Sequence, residues 1–276
     1  MSDKKILPLK NDTVFHIFFA DPRNSEHLRN FLTAALRLPE SEYEKIEIIN
    51  PQLLPEYVGQ KTSVVDLKLH TKTGKIIHIE IQLKVTKEFL NRIVFYASKL
   101  IAEQLGEGDK FKEINQTISI VITDEKLIPE NELYHHRFTL YDLDAQVELS
   151  DLLEIYSLEL QKLPNESDGS PLYNWAKFIN ADTEEELEMI ARSSPQLAQA
   201  VVRLRELSAD EKARDLYERR IKAQRDLEMF REDSEQKGSY ERALTIARKM
   251  LKRGKSIEEI MEFTDLPSEE IEKIVL

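Results

Sequence analysis

The sequence predicts an α/β fold followed by an all-helical C-terminal region. Three observations carry that expectation. Two segments, Val64 to His70 and Ile77 to Lys84, alternate apolar and polar residues at period two, the pattern of β-strands with one buried face. Thr117 to Thr123 is dominated by β-branched residues and reads as a deeply buried, central strand beside the one that holds Glu80. Beyond a polar, turn-rich stretch from Pro164 to Pro171, everything reads as helix. The expected boundaries are 1–165 for the α/β domain, 166–236 for a helical extension and 237–276 for a small helix-turn-helix-like tail.

The chain opens with a helix through Phe15, Ile17, Phe18 and Phe19, with Asp12 as its expected N-cap and a turn at Pro22. Leu28, Phe31, Leu32, Ala35 and Leu36 mark a second helix, ending near Leu38-Pro39. Glu47-Ile48-Ile49 starts an extended region that leads into the first hairpin strand.

That hairpin carries the most informative residues. Asp66, Lys68 and His70 share one face of its first strand, and His78, Glu80, Gln82 and Lys84 share one face of its second. Acids are disfavoured inside strands, so two of them in adjacent strands need a physical reason. A three-residue loop of Lys72, Thr73 and Gly74, with Gly74 left-handed, makes the polar faces match. Thr71 then pairs with Lys75, Lys68 with His78, and Asp66 with Glu80. Directly opposite Cβ atoms lie about 4.5–5.5 Å apart. Two ionised carboxylates that close repel, and sharing a proton or binding a cation relieves the repulsion. Hard oxygen ligands suit Mg²⁺, Mn²⁺ or Ca²⁺. A solvated polar face neutralised by Lys68 and Lys84 is the other reading of the same alternation.

A helix from about Thr86 to Leu105 follows, ending at Gly106-Glu107-Gly108. Arg92 and Tyr96, four apart, share a face of it. Arg92 is placed to clamp a phosphate and Tyr96 to hydrogen-bond it; packing of the pair between helix and sheet is the alternative. Arg137 to Leu143 reads as a further strand. The preceding His135-His136 face opposite ways and are edge residues rather than a metal pair. Leu149 to Lys162 reads as a strand or mixed segment closing the domain. In the helical remainder, Trp175 is expected to dock its helix on the core. Thr183 with Glu186, and Ser256 with Glu259, form capping boxes. Asp210 to about Asp233 is a highly charged helix, exposed or facing a partner helix. The tail reads as three helices, Tyr240 to Arg253, Ser256 to Phe263 and Ser268 to Ile274. Glu269, Glu270 and Glu272 on the last argue for packing or dimerisation rather than base reading. The basic stretch from Lys237 to Lys255 is either a solvated helical face or, if the tail touches DNA, the better candidate for that contact.

The chain has 276 residues, no cysteine and a net charge of −12. Disulfides and thiolate metal sites are excluded. No apolar run approaches the roughly 20 residues needed to span a bilayer, and the first residues lack a signal-peptide core, so a cytoplasmic protein without membrane partners is expected. The acidic balance argues against strong general nucleic-acid binding, which draws on Lys and Arg.

Several of these motifs, in this order, resemble a known family. Asp66, a turn, then Glu80-Ile81-Gln82 resembles the PD-(D/E)XK nuclease superfamily, and more closely its Rpn family of recombination-promoting nucleases and transposases. Leu9 to Phe19 resembles that family's opening helix, Arg92 and Tyr96 its Arg…Tyr signature, and Glu159-Leu160-Gln161-Lys162 its closing element. The likeness covers roughly residues 5–165, and more loosely the helical remainder. It implies a restriction-endonuclease-like mixed sheet flanked by helices, and metal-dependent hydrolysis of DNA phosphodiester bonds. Asp66 and Glu80 match the acidic metal ligands, joined by the carbonyl of Ile81, with Mg²⁺ as the implied cofactor. Asp12 would approach the metal, as an acid of the first helix does in some superfamily members. Val65 replaces the motif's proline. Gln82 stands where the motif has lysine; it can orient a water but carries no charge, leaving Lys84 and Lys68 to supply it.

The leading reading is therefore a Mg²⁺-dependent DNA endonuclease linked to recombination or mobile elements. In it Asp66 and Glu80 hold metal, Gln82 orients water, and Arg92 or Lys84 offsets phosphate charge. The alternative is a weak or inactive nuclease fold that binds DNA or protein. Strand transfer in the strict transposase sense is a third option. A homodimer through the C-terminal helices is a further expected partner state.

Overall fold

The computed structural model describes residues 5–49 and 67–275. These form two compact units, Met1–Tyr217 and Glu218–Leu276.

The first unit is built on a six-stranded mixed sheet of order β1-β2-β3-β4-β6-β5. Its strands are β1 (Glu47–Ile48), β2 (Leu67–His70), β3 (Ile76–Gln82), β4 (Thr117–Thr123), β5 (His135–Asp142) and β6 (Val147–Glu159). β1, β2 and β3 pair antiparallel, β3, β4 and β6 pair parallel, and β5 closes one edge as a hairpin partner of β6. Helix α3 (Phe89–Ala102) makes the crossover from β3 to β4, as parallel neighbours require.

The hairpin follows its sequence. Thr71 and Lys75 close the turn through Thr71 N–H to Lys75 C=O at 3.0 Å. Gly74 sits at φ 90°, a conformation that costs glycine least. A Cβ there would also come within 3.2 Å of Asn115 Oδ1. The register is Lys68 opposite His78, with Leu67, Leu69 and His70 opposite Ile79, Ile77 and Ile76. All seven residues of β4 are buried, which fits its central place between β3 and β6.

The two faces of the sheet differ. Ile77, Ile79 and Ile81 of β3, Ile118, Ile120 and Ile122 of β4, and Tyr156 and Leu158 of β6 join the main core. Covering them are α1 (Asp12–Ala20), α2 (Ser25–Ala35), α4 (Pro171–Asn180), α5 (Glu184–Ser193) and α6 (Pro195–Ala209). Trp175 docks α4 as anticipated, its ring 6.0 Å from Phe31 and 6.2 Å from Phe19. The turn-rich stretch at 164–171 therefore does not end the core, because α4 to α6 bury their apolar stripes in the same core cluster. Among the described residues the opposite face packs against α3, through Phe89 and Ile93 against Val121, with Leu127 of the loop after β4 in the same cluster.

Several local readings are corrected. The N-cap of α1 is Asn11, not Asp12: Asn11 is extended and its side chain accepts from the N–H groups of Thr13 and Val14, while Asp12 is already helical. β6 is a full strand of 13 residues, followed by a single 3₁₀ turn at Leu160–Lys162. The charged stretch and the basic stretch after it are one helix, α7 (Glu211–Lys252), 42 residues long. Gly238 lies inside it, and its propensity cost of about 1 kcal/mol does not break the helix.

The second unit joins the C-terminal part of α7 to α8 (Ile257–Thr264) and α9 (Ser268–Val275) around Ala247, Ile260, Leu266 and Ile271. Both expected capping boxes are present, at Thr183/Glu186 and Ser256/Glu259.

Candidate active site

The polar face of the sheet, under α3, holds the site. Along β3 this face presents His78, Glu80 and Gln82. Beside them in register come Ser119, Val121 and Thr123 of β4, then Ile155, Ser157 and Glu159 of β6. His78, Glu80, Ser119, Thr123, Ser157 and Glu159 are all buried. Buried polar groups must find partners: Glu80 takes Arg92 of α3, Thr123 the Glu125 carbonyl, Ser157 His136 of β5, and Glu159 two amides of the loop after β4.

Glu80 is 4% exposed, near the carboxyl end of β3. Arg92, one turn into α3, reaches over it: Nη2 donates to Glu80 Oε1 at 2.7 Å and to Gln82 Oε1 at 2.9 Å. The guanidinium also lies 4.7 Å from the Phe89 ring centre, a cation–π contact that steadies it. Two oxygens two residues apart on one strand face thus converge on one cationic nitrogen. The sequence placed Arg92 toward a phosphate; it did not foresee this pairing with the acid.

The other expected residues fall as follows. Asp66 lies outside the described residues. Lys68 is half-buried on β2 opposite His78. Lys84 lies exposed in the bend after β3 ends at Gln82, so strand alternation no longer fixes its direction. Ile81 is buried, its side chain in the main core on the far face. Tyr96 is 43% exposed and edge-on to Phe95 at 5.5 Å; among the described residues it makes no hydrogen bond to Glu80, Gln82 or Arg92. Asp12 Oδ1 accepts from the Thr13 N–H at 2.7 Å. His135 stacks on Tyr156, while His136 meets Ser157 and Asn131, so the two do face opposite ways on the edge strand.

A half-buried tie and a buried network fix the loops at the carboxyl ends of β3, β4 and β6. Glu125 accepts from the Val85 N–H at 2.7 Å, tying the loop after β3 to the loop after β4. Glu159 accepts from the N–H groups of Leu127 and Ile128 at 2.8 and 3.1 Å, and pairs with Lys162 Nζ at 2.7 Å and His136 Nδ1 at 3.2 Å. Glu159 and Lys162 side chains are both fully buried. The closing Glu-Leu-Gln-Lys element is thus a staple for the loop after β4. Lys10, before α1, reaches Asp182 at 2.7 Å and Asp124 at 3.5 Å. Burial lowers its pKa, but the two carboxylates outweigh burial and raise it. The sequence carried no signal for these ties, because their partners lie far apart along the chain.

Among the described residues no group of three His, Cys, Asp or Glu could hold a metal, and no helix is long and apolar enough to cross a membrane. No curated protein and no solved structure matches the chain. A family model described as PD-(D/E)XK nuclease family transposase matches residues 9–234, from the opening motif into α7. With this sheet order, with Glu80 and Gln82 on one strand and with that match along most of its length, the chain belongs to the PD-(D/E)XK nuclease family of transposases.

Proposed function

We propose that this protein is a divalent-metal-dependent DNA endonuclease whose site is carried by Asp66, Glu80 and Gln82. One observation carries the reading: Glu80 Oε1 and Gln82 Oε1 converge on a single cationic nitrogen at 2.7 and 2.9 Å. Hard oxygen donors gathered around a cation are the donor set that Mg²⁺ or Mn²⁺ takes, with Ca²⁺ a further fit. Asp66 would complete the set. The register read from sequence puts it opposite Glu80, and the four described pairs from Leu67 to His70 follow that register. The main-chain carbonyl of Ile81 would add a further oxygen. Asp12 is a weaker candidate for the same role.

When bound, the cation would supply Lewis acidity, making a water more acidic and polarising the scissile phosphate. The chain's own groups do the rest. Gln82 orients the attacking water through its amide. Arg92, Lys84 and Lys68 offer positive charge to the phosphate, and Tyr96 a hydroxyl. The family points to DNA as substrate and to a role in recombination or mobile elements.

A second reading is a nuclease fold that binds DNA or protein without cutting. Gln82 in the lysine position and the net charge of −12 favour it. A plasmid-nicking assay with Mg²⁺ or Mn²⁺ decides: nicking by wild type that Asp66→Ala and Glu80→Ala each abolish supports the endonuclease. Metal binding without nicking supports the second reading.

The homodimer would form through α7. Leu227, Met229 and Phe230 are 69%, 67% and 72% exposed on it. Arg219, Arg220, Lys222 and Arg225 precede Asp226, Glu228, Glu232 and Asp233, with Glu218 and Arg231 against the trend. Such a basic-then-acidic order is self-complementary when two copies of the helix run antiparallel.

A further inference from the structure

We infer that Arg92 is a resident counter-ion of Glu80 which a divalent cation must displace, and that this displacement frees its guanidinium for a DNA phosphate. The inference rests on the reading above that Glu80 binds metal.

Arg92 Nη2 occupies the approach to Glu80 Oε1 at 2.7 Å and to Gln82 Oε1 at 2.9 Å. Mg²⁺ sits about 2.1 Å from its ligand oxygens, so an ion on Oε1 would need the place the guanidinium fills. Two positive charges that close repel strongly, and the two occupants exclude each other. The partners also differ in freedom. The Glu80 side chain is 5% exposed and fixed in a strand, whereas that of Arg92 is 40% exposed. Arg92 is the one that can leave, because its side chain is already partly open to water; leaving gives up the Phe89 contact and uncovers a buried Nε. Its bidentate fork then suits a phosphate.

Two consequences follow. Metal affinity is held down by the internal cation. Metal and DNA bind with positive coupling, since each favours the state in which Arg92 has left Glu80, and linkage makes that coupling reciprocal.

The test uses the full chain and Mn²⁺ alone, titrated calorimetrically, with thermal melts to verify folding. Arg92→Gln removes the competing charge and is expected to tighten Mn²⁺ about tenfold, equivalent to about 1.4 kcal/mol. Arg92→Lys keeps one charge without the fork and is expected to fall between wild type and Arg92→Gln. In Ca²⁺, wild type is expected to bind a short DNA duplex more tightly than without metal, and Arg92→Gln to lose that gain. If folded Arg92→Gln and Arg92→Lys bind Mn²⁺ no more tightly than wild type, displacement is overturned and Arg92 is instead a brace that orients Glu80. Should Arg92→Gln not fold, the Lys variant alone decides on the same criterion. Glu80→Gln separates the two levels: wild-type Mn²⁺ affinity in that variant overturns the metal site itself. Lost affinity there, without tightening in the Arg92 variants, overturns the displacement alone.

Discussion

Replacing Glu80 by glutamine keeps the side chain's volume and its Oε1 acceptor but removes the charge that Arg92 pairs with. Breaking a fully buried ion pair costs about 3–5 kcal/mol, because the survivor is left charged in a dry site. Here the survivor is the Arg92 side chain, 40% exposed, and it can rehydrate. Exposed pairs are worth about 0–1 kcal/mol. Between these limits, and with one hydrogen bond retained, the cost is about 1–2 kcal/mol. For a domain this size that lowers Tm by roughly 2–8 °C, well inside a typical stability of about 5–15 kcal/mol. Activity should respond on a different scale. Losing about 4 kcal/mol of charge stabilisation at the phosphate slows cleavage about 10³-fold. Urea unfolding and plasmid nicking, run on the same preparation, read the two numbers. A Glu80→Gln protein that nicks within about tenfold of wild type refutes the site. One that loses more than about 4 kcal/mol of stability refutes the claim that Arg92 can escape to water.

Three further outcomes are expected. Trp175→Ala should lower the unfolding free energy by about 3–5 kcal/mol, because the ring is 3% exposed among Phe19, Phe31 and Phe178; a loss below about 1 kcal/mol in urea melts would contradict the shared core. Acid should destabilise the fold. Burial, with His136 beside it, lowers the pKa of His135 from 6.5 to about 4, so the unfolded chain takes the proton first. Stability is then complete above about pH 6.5 and lost as pH falls toward 4, by about 1–3 kcal/mol after discounting for partial exposure; His135→Gln should flatten that window, and an unchanged slope would reject the assignment. Light scattering should find a dimer that Phe230→Glu converts to monomer, and a monomeric wild type would remove the α7 pairing.

What was legible in the sequence was whatever short-range chemistry decides. Gly74 and the alternation around it fixed a turn and a register that long-range packing had no reason to change. The β-branched run of β4 could only be central. The cap of α1 slipped by one residue because Asn11 and Asp12 are both good caps, and only backbone geometry chooses between them. β6 was blurred by Glu148, Ser150, Asp151 and Glu154, and its ladder with β5 takes up the irregularity as register shifts between Thr139, Leu140 and Tyr141. The grip of Arg92 on Glu80 and Gln82 was hidden because it depends on how α3 lies across the strand, which no spacing within the helix encodes. Glu159 and Lys162 read as an isolated motif, since the Leu127 N–H that Glu159 accepts from and the Ile128 carbonyl that Lys162 donates to lie some thirty positions away.

The described side-chain hydrogen bonds at Glu80 and Gln82 come from Arg92, twelve and ten positions further along the chain, in the helix that follows β3. The proposed chemistry is therefore a cassette, one hairpin and one helix read off a single uninterrupted stretch. The remaining strands and helices act on it as a mounting. Helices at the far end of the chain can be lengthened, exchanged or recharged to suit a new target, while the spacing between acid, amide and guanidinium stays set by the cassette alone.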